Sequence, residues 1–198
     1  MYTRTLEEYL NLLSSPSPTP GGGSVGDLML SFSASLLSMV CGLSKGVETY
    51  IEDLKKLRDE FYNLSIEDEE SFNLVMNAYK LPKESDEEKK IRKEKIQEAL
   101  KKATETPFKS LKLAKNLIPF IEILLKEGNK NAISDIGVAI LSLKSGALSS
   151  YLNVKINLNS IKDDNFVNEI SNECEKIKNE ILEFAERSFK EVLNILNQ

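Results

Sequence analysis

The sequence predicts an all-α protein, an elongated bundle of six to seven helices, two of them nearly fully apolar and buried, with small-residue faces that suit a dimer. Three observations carry the class. Apolar residues recur at helical spacing through most of the chain, no run alternates as a strand would, and no proline follows Pro119 in 198 residues. Two helices are apolar nearly all round, which places them inside a shell of amphipathic ones. A chain of this length reads as one domain, residues 1–198, able to bury a core without disulfides or metals.

The elements follow in order. A short helix spans about Thr5 to Leu13, with Leu6, Leu10 and Leu13 on one face. Pro16, Pro18 and Pro20 then precede Gly21, Gly22 and Gly23, which makes a loop. The second helix takes Ser24 as its expected N-cap and runs to about Ser44. Ser31, Ser35, Ser38 and Gly42 form a stripe of small side chains along it. The third runs from about Val47 to Tyr79, its period kept by Leu54, Leu57, Phe61, Leu64, Phe72 and Val75. Pro82 ends that pattern. A highly charged helix starts at Asp86, with Ile91, Ile96 and Leu100 inward. Pro107 is expected to kink or break it, and Pro119 to kink it again before Gly128 stops it. The second apolar helix covers about Asn131 to Leu152 and carries Gly137, Ser142, Ser145, Gly146 and Ser149. Asn153 to Asn159 reads as the helix end or a short extended turn. A last amphipathic helix covers about Asp164 to Leu196. The small-residue stripes suit internal packing or self-association.

Composition removes several kinds of chemistry. There is no histidine, so Ser-His-Asp and Cys-His nucleophiles and His-based metal sites are excluded. Protons must be moved by Asp, Glu, Lys, Tyr, Cys or water. Cys41 and Cys174 are far apart with no CxxC spacing, as buried thiols in a reducing compartment would be. A net charge of −5 argues against nucleic acid as a partner. No secretory leader pattern is visible, and the apolar stretch Leu28 to Leu43 holds four serines in 16 residues, short of a ~20-residue span. The expectation is a cytoplasmic protein with no membrane partner.

Four places could carry chemistry. Pro18 to Ser24 joins a rigid proline segment to three glycines at a helix start, where backbone can approach a ligand and free N–H groups favour negative charge. It is neither a P-loop nor a dinucleotide fingerprint, since no Gly-Lys-Ser/Thr follows and no strand precedes. Pro20, Gly21, Gly22, Gly23 and Ser24 are therefore candidate binding residues. Asp27, one turn on, is either an acid favoured by the helix dipole or a carboxylate in the same pocket. Asp68, in the run Asp68, Glu69, Glu70, lies four residues before Phe72 and so shares its face. Asn129, Lys130, Asn131 and Asp135 gather where the second apolar helix begins, and a carboxylate inside such a helix is costly unless paired.

Those residues resemble the cyclodeaminase/cyclohydrolase family, that is, the cyclodeaminase half of formiminotransferase-cyclodeaminase and its stand-alone folate relatives. Pro18 to Ser24 resembles the family's opening signature. Asp68 to Phe72, Val75-Met76 and Ala78 to Pro82 resemble its second segment. Ala103 with Thr106-Pro107 resembles a third, and Gly128 to Asn131, Ser134-Asp135 and Asn153 to Leu158 the last. One departure falls after the first buried helix, where many members carry a basic cluster and this chain reads Lys45, Gly46, Val47, Glu48, Thr49. Asp27 also stands where members usually have a small residue.

The resemblance implies an all-α homodimer acting on the one-carbon unit of a reduced folate, with no metal and no cofactor beyond the folate substrate. The implied reaction is formimidoyltetrahydrofolate cyclodeamination: N10 attacks the formimino carbon, ammonia leaves and a methenyl bridge closes. The alternative is methenyltetrahydrofolate cyclohydrolase, in which water opens that bridge. A non-catalytic folate-binding or helical interaction dimer is the second alternative. Asp135 or Asp68 is expected to move the proton and stabilise the cation, while Gly21 to Ser24 position the folate and Asn129, Lys130 and Asn131 hydrogen-bond it. A formiminotransferase half is not expected within these 198 residues.

Overall fold

The computed structural model describes residues 4–198. The order is α1 (Leu6–Leu13), α2 (Gly22–Gly42), α3 (Ile51–Tyr79), α4 (Asp86–Ala114), α5 (Ile118–Glu127), α6 (Ile133–Leu158) and α7 (Asp164–Leu196), with no strand among the described residues. Short 3₁₀ turns at Glu48–Tyr50, Lys115–Leu117 and Lys130–Ala132 lead into α3, α5 and α6.

The two apolar helices, α2 and α6, form the centre and run antiparallel. Gly26 lies against Ser149 near one end, and Nδ2 of Asn129 donates to the Leu43 carbonyl at 3.0 Å near the other. Their backbones almost touch. A Cβ on Gly146 would fall 2.6 Å from Leu30 Cγ and 2.8 Å from the Gly26 carbonyl oxygen. Ser33 Oγ closes the same crossing by donating to the Ala139 carbonyl at 2.8 Å. α3, α4 and α7 pack around this pair, and one core includes Leu37, Phe61, Leu111, Ile140 and Ile181, all fully buried. By length and composition, α2 and the segment Lys130–Leu158 could each cross a membrane, but half of the most apolar window of each is buried inside the bundle.

Several boundaries differ from the sequence expectation, each for a physical reason. The N-cap of α2 is Gly21, not Ser24, and Gly21 offers no capping side chain. Asp68 on α3 takes that role by accepting the Ser24 N–H at 3.0 Å. α4 passes through Pro107 without a break. Proline removes the N–H that would bond the Ala103 carbonyl, and Nδ2 of Asn157 on α6 donates to that oxygen instead, at 2.9 Å. α6 runs on to Leu158, because Val154 and Leu158 are buried and hold the last turns to the core. Pro119 sits in the first turn of α5, where a missing N–H leaves no bond unmade.

Candidate active site

The glycine segment, the middle of α3, the middle of α4 and the C-terminal half of α6 enclose a cleft of about 250 Å³. Gly21, Gly22, Gly23 and Asp68 form one side. Ser71, Phe72 and Val75 continue along α3, and Ala103, Asn153, Ile156 and Asn157 complete the wall.

Among the described residues, Asp68 is the only carboxylate in this lining. It is pressed against Gly23 so closely that a Cβ there would overlap its carboxyl group. The glycine is therefore needed for approach, whatever its backbone freedom. Burial pushes the Asp68 carboxyl above the ordinary aspartate range, and the Ser24 amide pulls it part of the way back. The acidic run splits across the helix: Asp68 faces the cleft, Glu69 is buried and bonds Arg4 at 3.1 Å, and Glu70 is exposed.

Behind the glycines lies a buried polar layer. Tyr9 OH and Ser24 Oγ share a hydrogen bond of 3.0 Å, which anchors α1 to the start of α2. Burial raises the Tyr9 phenol above its usual range. Asp27 is 2% exposed and does not line the cleft. Its carboxyl faces the Ser110 hydroxyl, and its Oδ1 has no hydrogen-bond partner. Ser110 Oγ donates to the Thr106 carbonyl at 3.2 Å. Burial, followed by the negative charge of Asp68, holds the Asp27 carboxyl well above its ordinary range.

Of the sequence-predicted residues, Gly21, Gly22, Gly23 and Asp68 meet in the cleft. Pro20, Ser24 and Asp27 are buried behind it, and Ser24 shapes it through its amide. Asn129, Lys130, Asn131 and Asp135 stand at the far end of α6. From Asp135 to Asn153 is roughly 27 Å along the helix. Asn129 is engaged locally: its N–H donates to Ser44 Oγ at 2.8 Å, and its Oδ1 accepts the Asn131 N–H at 3.0 Å. Lys130 Nζ caps the Leu125 carbonyl at 2.7 Å. Within one chain these four residues do not reach Asp68.

Ser71, Asn153, Asn157 and Tyr9 were not among the expected site residues. Asn153 and Asn157 are four apart, and had α6 been extended past Leu152 they would have stood on one face beside Ile156. Among the described residues no group of three or more His, Cys, Asp or Glu could hold a metal ion.

Residues 5–176 match the sequence pattern of the family described as formiminotransferase-cyclodeaminase. A methenyltetrahydrofolate cyclohydrolase of Methylorubrum extorquens is 40% identical over 203 residues, covering 98% of each protein. The formimidoyltransferase-cyclodeaminase of Rattus norvegicus is 31% identical over 172 residues, which is 82% of this chain and 32% of that protein. The crystal structure of a formiminotetrahydrofolate cyclodeaminase from Thermotoga maritima superposes with a TM-score of 0.86 at 28% identity, over 98% of both chains. A pattern matched over most of the sequence and a relative at 40% identity end to end place this chain in the formiminotransferase-cyclodeaminase family.

Proposed function

We propose that the Asp68 cleft acts on the one-carbon bridge of a reduced folate, and that the reaction is hydrolysis of the methenyl form. The observation that carries the first part is a buried carboxyl held at the base of a cleft by a backbone N–H. Its raised proton affinity suits a group that must accept and return a proton. The end-to-end likeness to a methenyltetrahydrofolate cyclohydrolase supports the choice of reaction.

Water bound beside Asp68 attacks the methenyl carbon, and Asp68 accepts the proton that water loses. The tetrahedral carbon then carries the new hydroxyl between N5 and N10. Collapse breaks the C–N5 bond, leaves a formyl group on N10 and passes the proton from Asp68 to N5. The hydroxyl proton is released to solvent. The negative carboxylate also faces the cationic methenyl group before attack. The N–H groups at the start of α2 and the amides of Asn153 and Asn157 supply hydrogen bonds to the pterin.

Cyclodeamination of the formimino form is the second reading, supported by the fold shared with the Thermotoga maritima cyclodeaminase. It uses the same carboxyl: N10 adds to the formimino carbon and the departing ammonia takes a proton. The two are separated by offering each one-carbon form and following methenyl absorbance and ammonia release. Loss of the methenyl signal without ammonia supports hydrolysis. Ammonia release with a rising methenyl signal supports deamination. Folate binding with no turnover of either form would overturn both.

A further inference from the structure

One carboxyl of the molecule is explained neither by its packing nor by the steps assigned to Asp68. Asp27 is 2% exposed, and among the described residues its Oδ1 is the only buried side-chain nitrogen or oxygen without a hydrogen-bond partner. A carboxyl in that state costs the fold stability, because it has left water without replacing all of water's hydrogen bonds.

Its position is specific. Asp27 stands one helical turn after Gly23, the residue pressed against Asp68, so α2 presents both positions to α3. Asp68 and Glu67, neighbours on α3, both act on its charge. The Ser110 hydroxyl of α4 faces it. Tyr9 of α1 is close enough that Asp27 and Asp68 both raise its proton affinity. The charges acting on Asp27 are thus all negative.

The two acids of α3 open on different sides. Asp68 lines the cleft, whereas Glu67 lines a second groove of about 300 Å³ between α3 and α4, with Glu70, Ser71, Glu105 and Thr106. Ser71 lines both spaces, and Thr106 lies one turn before Ser110. Asp27 therefore occupies the buried layer between the cleft and this polar groove.

Hydrolysis of a cationic methenyl group gives a neutral formyl group and one proton per turnover. A folate filling the cleft covers Asp68 on its open side, so that proton needs another way out. We propose that Asp27 relays it from Asp68 to the α3–α4 groove. The inference rests on the hydrolytic reading of the cleft. Asp68 is ionised once it has protonated N5. It then takes the hydroxyl proton as the formyl C=O forms, and passes that proton to the open Oδ1 of neutral Asp27. Asp27 gives up the proton it already holds, from its other oxygen, to water in the groove beside Glu67. Asp68 ends ionised and Asp27 neutral, as they began, and one proton has left. Burial and the negative neighbours keep Asp27 protonated between turnovers, so it passes protons on without holding a charge. Asp27 touches no substrate and acts through Asp68.

The test compares wild type, Asp27→Asn and Asp27→Ala in methenyl hydrolysis, with the enzyme-free rate subtracted. The amide keeps the shape and cannot relay, and the alanine variant takes its place should the amide misfold. At low buffer concentration both variants are expected to lose about tenfold in kcat with KM unchanged. Rising imidazole, a small proton carrier, should restore the variants and leave wild type unaffected. A thermal melt on each sample shows whether the fold is intact. An infrared difference between wild type and Asp27→Asn at pH 7 should contain the carbonyl band of a protonated carboxyl. Wild-type kcat in both variants, a loss that imidazole does not restore, or the lack of that band overturns the relay alone. So does a wild-type chain that releases ammonia from the formimino form and leaves the methenyl form intact, since the proton lost by N10 then departs on ammonia. Should wild type turn over neither form, the folate reading itself falls and the relay with it, an outcome that the wild-type assay reports apart from the variants.

Discussion

The Ser24 amide of α2 donates to Oδ2 of Asp68 on α3 at 3.0 Å, and this bond closes the first turn of one helix with the side chain of another. Gly23 must lack a side chain for that approach. Gly23→Ala is therefore expected to displace the carboxyl and lower turnover at least about 10²-fold, the scale of a lost general acid–base group. The obstacle is a movable side chain at a cleft, so the melting temperature should change little. Kinetics and a thermal melt on the same sample check both halves; a large drop in melting temperature with activity retained would contradict this account.

Asp68 should also set the acid limb of the pH profile. Its ionised form accepts the proton, and burial raises its proton affinity. Turnover should rise with pH through a midpoint above the ~3.9 of a free aspartate. With no histidine in the chain, no imidazole limb is expected. Asp68→Asn should remove the limb together with the activity, as steady-state rates across pH would reveal.

Asp27 makes the fold sensitive to pH in the opposite sense from a paired carboxylate. Its proton affinity in the folded state is raised above the unfolded value. Its contribution to stability is therefore full below pH ~3.9 and is lost as pH rises toward the folded pKa. Asp27→Asn keeps the shape and cannot ionise. At pH 7 it should raise the melting temperature, since the penalty that burial places on an ionised carboxyl is removed. The gain should shrink at pH 4, and melts at the two pH values test the sign.

Asn157 and Pro107 should be energetically coupled through the Ala103 carbonyl. Asn157→Ala leaves that oxygen without its donor, at a cost of about 1–3 kcal/mol. In a Pro107→Ala background the helix supplies its own N–H, so the same substitution should cost less. A double-mutant cycle in urea measures the coupling. Strict additivity would mean that Asn157 does not substitute for the missing amide.

Much of the helical layout was legible because local pattern reports on local structure. The period of α3 through Leu54, Leu57, Phe61 and Leu64 needs no partner to be read. The glycine segment was legible as a place of close approach, and Asp68 as a carboxyl on a half-buried face. Pro107 misled because its local rule assumes that the freed carbonyl stays unpaired, and Asn157 answers it from a helix 50 residues later. Ser24 misled in the same way, since the cap that α2 uses comes from α3.

By itself the sequence determined the class, the apolar character of α2 and α6, the glycine segment and the absence of imidazole chemistry. Only the tertiary structure decided which polar residues meet. Gly26 and Gly146 let α2 and α6 come into backbone contact, which sets Asn153 and Asn157 beside the glycines and Asp68. Asp135, near the start of α6, stands at the opposite end of that helix from the cleft. A helical pattern tells which side of each helix is apolar, but the crossing of two helices depends on side chains distant in sequence, and that crossing makes the site.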